Sequence, residues 1–157
     1  AFGMRVLGSD IVEIPADVIA QTGTEMMPLR ELLATADVVS VNCTLNPTSF
    51  HLIGERELAL MKATAYLINA ARGPIVDEAA LIRALAGRQI AGAGLDVFES
   101  EPLPSDGPLR KLDNCWLAPH NANSSPEAAT RVHDRTIGNL IAGLHEPAGR
   151  DAAHAGA

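Results

Sequence analysis

The chain has 157 residues, enough for one domain with a buried core and short for two. Hydrophobic residues make up 47% and charged ones 20%, the net charge is −7, and Lys62 and Lys111 are the only lysines, so no basic stripe for nucleic acid is present. No apolar run reaches the length of a membrane span, no signal peptide opens the chain, and Cys43 and Cys115 make neither a disulfide framework nor a metal spacing, which points to a reducing cytoplasm.

In chain order, Ala1-Phe2-Gly3 reads as the last turn of a helix with Gly3 as its stop, so the chain reads as a fragment whose upstream part is absent. Residues 5–10 read as a buried strand ending in Asp10. A loop with a weak segment around 17–20 follows, and Pro28 then opens a short helix through Leu29, Leu32 and Leu33. Residues 38–41 are a β-branched run, read as a central strand, and 42–49 a polar loop. Leu58 and Met61 recur at helical spacing within 54–61, and Tyr66, Leu67 and Ile68 read as another buried strand.

The clearest helix has Asp77 as N-cap, Leu81, Ile82 and Leu85 on its apolar face and Gly87 as its stop. Residues 90–97 form the next strand, with Gly92 and Gly94 allowing close backbone approach. A loop rich in Pro and Asp runs to Asn114, and 115–117 are the last strand. The final helix opens at Ser124 or Ser125, with Pro126 and Glu127 in its first turn and Val132, Thr136, Leu140 and Leu144 along one face. From Glu146 onward the chain reads as a frayed tail, leaving 1–145 as a partial domain.

Strands alternating with helices imply a parallel sheet covered on both faces, with ligands beyond the carboxyl ends of its strands. Asp10, Asn42, the 69–72 turn, Asp96 and His120 all fall at or just after such ends. Asp10 suits the ribose diol of a dinucleotide, and no basic residue at Ile11 or Val12 invites a 2′-phosphate, so NAD is favoured over NADP. Taken alone, Asp10 reads better as a solvated acid. A glycine fingerprint belongs about 20 residues before such an acid, which puts it upstream of Ala1.

Arg72, between Ala71 and Gly73, can grip a carboxylate through two parallel bonds and polarise a neighbouring carbonyl. His120, after Pro119 and before Asn121-Ala122-Asn123, suits a proton donor to an alkoxide. An acid beside it favours the imidazolium. Glu99 and Glu101 compete for that role; Glu101, against Pro102, is preferred and Glu99 is read as solvated. Asp96 either holds a nicotinamide amide or caps its turn. His51, His133, His145 and His154 are read as idle. Arginine, acid and histidine at strand ends are what reduction of a 2-oxo acid needs.

The motifs Asn69-Ala70-Ala71-Arg72-Gly73, 95–102 (Leu-Asp-Val-Phe-Glu-Ser-Glu-Pro) and Ala118-Pro119-His120, in this order, resemble the nucleotide-binding domain of the NAD-dependent D-2-hydroxyacid dehydrogenases. Enzymes of the D-3-phosphoglycerate, glyoxylate and hydroxypyruvate reductase type belong to that family. The resemblance runs from about Ala1 to Leu144. It implies a Rossmann-like, doubly wound α/β sheet, here incomplete, without its first strand, glycine loop and helix. It also implies that Arg72 binds substrate carboxylate, that Glu101 pairs with His120, and that Asp10, Cys43, Ala70, Ala71, Arg72, Asp96, His120, Asn121, Ala122 and Asn123 contact NAD.

Two departures stand out. Asn42-Cys43-Thr44-Leu45-Asn46 replaces the usual His-x-Pro-Leu-Thr, and Asn121-Ala122-Asn123 replaces an apolar–glycine pair. The expected activity is hydride transfer between NAD(H) and a small 2-oxo or 2-hydroxy acid, D-specific, in a homodimer when full length, with a substrate domain beyond this chain. Two other readings are a non-enzymatic NAD-sensing module of the corepressor type and an inert fragment that binds NADH weakly.

Overall fold

A computed structural model describes residues 3–145. The frayed tail expected from Glu146, His154 and the helix-end reading of Ala1 and Phe2 lie outside them. The chain divides into two units, one ending at His120 and the other starting at Asn121.

In the first unit, β1 (Leu7–Gly8) pairs in parallel with β2 (Glu25–Met26). A second sheet runs in the order β3 (Val38–Val41), β4 (Tyr66–Asn69), β5 (Gly92–Leu95), β6 (Cys115–Leu117), every pair parallel. The connections carry α1 (Ala16–Thr22), α2 (Leu29–Thr35), α3 (Glu55–Leu58) and α4 (Glu78–Ala86), because parallel neighbours need long crossovers. In the doubly wound order 3-2-1-4-5-6, one strand separates the second from the fourth. The observed orders β2-β1 and β3-β4-β5-β6 are the two flanks of that pattern. Between them lies a cavity of about 250 Å³ lined by Leu7, Gly8, Val39, Ser40 and Val41, so the sheet is interrupted where expected.

The core is aliphatic. Leu33, Leu67, Ile75, Leu85, Ile90 and Leu109 are fully buried against the four-stranded sheet. α4 shows how sequence fixes an element: Asp77 Oδ1 accepts the Ala80 N–H at 2.9 Å, and Ala80, Leu81, Ala84 and Leu85 are buried at helical spacing. The Asp77→Ala variant is expected to lose about 0.5–2 kcal/mol of stability, measured by urea unfolding, because an orphan helix N–H loses its acceptor.

Several expectations needed correction. The strand expected over 5–10 is only Leu7–Gly8 and is half-buried, since its ladder with β2 is two residues long. Val38–Val41 lies at an edge of the four-stranded sheet rather than at its centre, and Val38 is exposed. β5 spans fewer residues than 90–97, and Tyr66 on β4 and Trp116 on β6 are exposed where they tilt against each other. β2 went unread and α1 was read only as a weak segment around 17–20: α1 buries no residue, and Glu25–Met26 lacks a β-branched run. α3 is one turn only, though Leu58 and Met61 are both buried as expected.

In the second unit, α5 (Pro126–His145) follows a turn in which Ser125 Oγ accepts the Ala128 N–H at 3.1 Å. Val132, Leu140 and Leu144 are exposed along it. Among the described residues no helix is long and apolar enough to cross a membrane.

Candidate active site

The turn after β4 is built by Asn69, 1% exposed. Its Oδ1 accepts the Ala71 N–H at 3.1 Å and its Nδ2 donates to the Arg72 carbonyl at 3.0 Å. Both ends of one buried amide therefore shape the bend that carries Ala70, Ala71 and Arg72. Arg72 is extended and exposed, with Nη1 donating to the Ala71 carbonyl at 2.7 Å. Gly73 follows because nothing larger fits: a Cβ there would fall on the Phe98 carbonyl group.

The loop after β5 brings the acid. Glu101 Oε1 accepts the Phe98 N–H at 3.0 Å, and Glu101 Oε2 lies 2.8 Å from His120 Nδ1. His120 holds a left-handed backbone (φ 54°), uncommon for a residue with a β-carbon and found where surroundings over-determine a site. The His120 hydrogen bond and then the Phe98 N–H hold the Glu101 carboxyl below its ordinary range; burial opposes them, and the charges of His120 and Arg72 add to the lowering. A carboxyl held low contributes stability above its ordinary pKa and loses it as pH falls through the folded value. Arg72, Glu101 and His120 thus share one electrostatic neighbourhood.

Glu101 and His120 also line a cavity of about 500 Å³ with Phe98, Pro102, Leu103 and Arg110. Arg110 was not singled out from the sequence. Its Nε and Nη2 donate to the Pro104 and Leu103 carbonyls at 2.9 and 3.0 Å, holding the loop that follows Glu101. Such a role leaves no mark in sequence, because its acceptors are backbone.

Asp10 and Cys43 line the other cavity, between β1 and β3. Asp10 is exposed and its Oδ1 accepts the Val12 N–H at 3.1 Å. Asp96 is 7% exposed, and its N–H donates to the Asn69 carbonyl at 2.9 Å. Asn121, Ala122 and Asn123 are exposed in the turn ahead of α5, in the second unit.

One contact was not read from the sequence: Glu99 is exposed, and His51 Nε2 lies 2.7 Å from its Oε1. The cysteines differ. Cys43 is exposed, whereas burial and then the Glu78 charge push the Cys115 thiol up to about 11. A disulfide reagent at mildly alkaline pH is expected to titrate Cys43 fast and Cys115 slowly. The Cys43→Ser variant should lack the fast phase.

The family model for the NAD-binding domain of D-isomer specific 2-hydroxyacid dehydrogenases matches residues 1–122. The chain belongs to this family. The glyoxylate reductase of Korarchaeum cryptofilum (strain OPF8) is 48% identical to this NAD-binding domain over 141 residues, which is 90% of the chain and 42% of the relative. Among solved structures, a glyoxylate reductase from Paecilomyes thermophila superposes with a TM-score of 0.85 at 34% identity, covering 92% of this chain and 43% of that one. A D-isomer specific 2-hydroxyacid dehydrogenase from Xanthobacter autotrophicus Py2, in complex with NADPH and MES, has a TM-score of 0.75 at 37% identity, covering 92% and 59%. The chain therefore spans less than half the length of the curated relative it matches.

Proposed function

We propose that this chain is the nucleotide-binding part of an oxidoreductase that interconverts a small 2-oxo acid and its D-2-hydroxy acid with NAD(H). The observation that carries the reading is the Glu101–His120 pair at 2.8 Å, close enough to Arg72 for the guanidinium to act on the same carboxyl.

Arg72 takes the substrate carboxylate and draws electron density from the adjacent carbonyl. With Nδ1 engaged by Glu101, His120 presents Nε2 to the carbonyl oxygen and gives it a proton as that oxygen becomes an alkoxide. Glu101, at Nδ1, fixes the ring orientation. In the oxidative direction the imidazole takes the proton back. A nicotinamide dinucleotide, when bound, supplies the hydride.

The residues present fit such a cofactor. Asp10 offers a carboxylate at the open cavity beyond β1, suited to a ribose diol and repelling a 2′-phosphate, and Cys43 lies across that cavity. Ala70 and Ala71 leave room beside Arg72, and Asp96 completes the contacts proposed within the first unit. The chain alone is expected to bind NADH weakly, since the cavity between β1 and β3 is bordered by a two-residue ladder. We place residues 1–145 as a partial NAD-binding domain whose last helix leads toward a substrate domain, in a cytoplasmic homodimer.

The test is a graft: the 141 aligned residues of this chain replace the matching segment of the Korarchaeum cryptofilum glyoxylate reductase. The expected result is oxidation of NADH, faster than of NADPH, with glyoxylate, hydroxypyruvate or phosphohydroxypyruvate. A folded graft that binds NADH and turns over none of them would favour the non-enzymatic, NAD-sensing reading.

A further inference from the structure

His51 and Glu99 make a second imidazole–carboxylate pair, its acid two residues before Glu101, with His51 Nε2 at 2.7 Å from Glu99 Oε1. The pair joins segments distant in sequence. On the His51 side, its N–H donates to the Pro74 carbonyl at 2.8 Å and the Ile53 N–H to the Ile75 carbonyl at 3.1 Å, both just past the Arg72 turn. On the Glu99 side, the bonding is reciprocal with the first residue of α4: Glu99 N–H donates to Glu78 Oε2 and Glu78 N–H to Glu99 Oε1, each at 3.1 Å.

What these bonds enclose is the Phe98–Glu99 peptide. That peptide lies flush against Gly73, where a Cβ would meet the Phe98 carbonyl and the Glu99 nitrogen. The N–H of Phe98, in turn, is the backbone donor to Glu101 Oε1. Phe98 thus touches the Arg72 turn through its carbonyl and the Glu101 carboxylate through its N–H, which belongs to the preceding peptide. His51 carries a left-handed backbone (φ 51°), as His120 does (φ 54°), and its ring stacks on Phe50 at 4.0 Å. A β-carbon at positive φ persists only where neighbouring contacts hold it.

We propose that His51 and Glu99 are positioning residues, whose bond clamps the Phe98–Glu99 peptide onto the Gly73 turn and so sets the spacing between Arg72 and the Glu101–His120 pair. The inference rests on the reading of Arg72, Glu101 and His120 as one site, and its test needs no turnover.

The test follows the Glu101 carboxyl carbon by NMR in the 157-residue chain labelled in its glutamates. In the wild type the carboxyl titrates below its ordinary range, held there by His120, the Phe98 N–H and Arg72. In His51→Ala and in Glu99→Ala the peptide is released, and the midpoint is expected to rise by about half a pH unit or more. His51→Gln, whose amide can still donate to Glu99, is expected to stay near the wild type. Glu55→Gln, which removes the exposed 3.4 Å pair with Arg83 on α4, should leave Glu101 unmoved. An unmoved Glu101 in either folded alanine variant overturns the clamp, as does a His51→Gln that shifts Glu101 as far as alanine does. Either alanine variant suffices if the other does not fold. A graft without turnover would count against the site reading and leave this titration to decide the clamp.

Discussion

Replacing His120 by alanine in the graft is expected to lower kcat for 2-oxo acid reduction by about 10²–10⁴-fold, the range a positioned general acid supplies. KM should change far less, because the imidazole acts chiefly as charge develops on the carbonyl oxygen. The geometry gives the reason. His120 Nδ1 is occupied by Glu101 Oε2 at 2.8 Å, which orients the ring and reserves Nε2 for substrate. Glu101→Gln keeps a hydrogen-bond acceptor beside the ring and removes only the carboxylate charge. Its loss should therefore be smaller than that of His120→Ala. Steady-state rates check both statements; a His120→Ala graft with unchanged kcat would remove the proton from this residue.

Arg72→Ala is expected to lower kcat/KM by about 10²–10⁴-fold, since each charged hydrogen bond contributes about 1.5–3 kcal/mol and a carboxylate takes two. Unlike the histidine variant, this one should raise KM as well as lower kcat, because the guanidinium holds the ground-state carboxylate before it polarises the carbonyl. Arg72→Lys keeps the charge and loses the planar fork, so it should recover only part of the loss. The comparison is informative because the turn itself is held by Asn69 and Gly73 rather than by the arginine side chain. KM and kcat for the three side chains, measured with glyoxylate, separate grip from polarisation.

Much of this arrangement is written in short-range signals. The N-cap at Asp77, the buried spacing of Leu81 and Leu85 and the strand cores at Leu67 and Ala93 follow from local pattern, and the structure has them there. The Glu101–His120 pair was legible because each residue sits in a motif at a strand end. What sequence did not show depends on partners far along the chain or on backbone. Glu99 reads as a solvated acid until His51, 48 residues away, is brought against it. Arg110 bonds only to carbonyls, and β2 is a strand because β1 lies alongside, not because Glu25 and Met26 favour one. The centre of the sheet was misplaced for a related reason: a β-branched run shows that a strand is half-buried without saying which neighbours it has.

The measurement that bears most directly on the account is a double-mutant cycle on Arg72 and His120 in the graft, read as kcat/KM for glyoxylate with NADH. If both side chains act on one bound 2-oxo acid, their effects are strongly non-additive, and Arg72→Ala/His120→Ala should cost little more than the worse single variant. Losses that simply multiply would place the two residues in separate roles and contradict the single site drawn here.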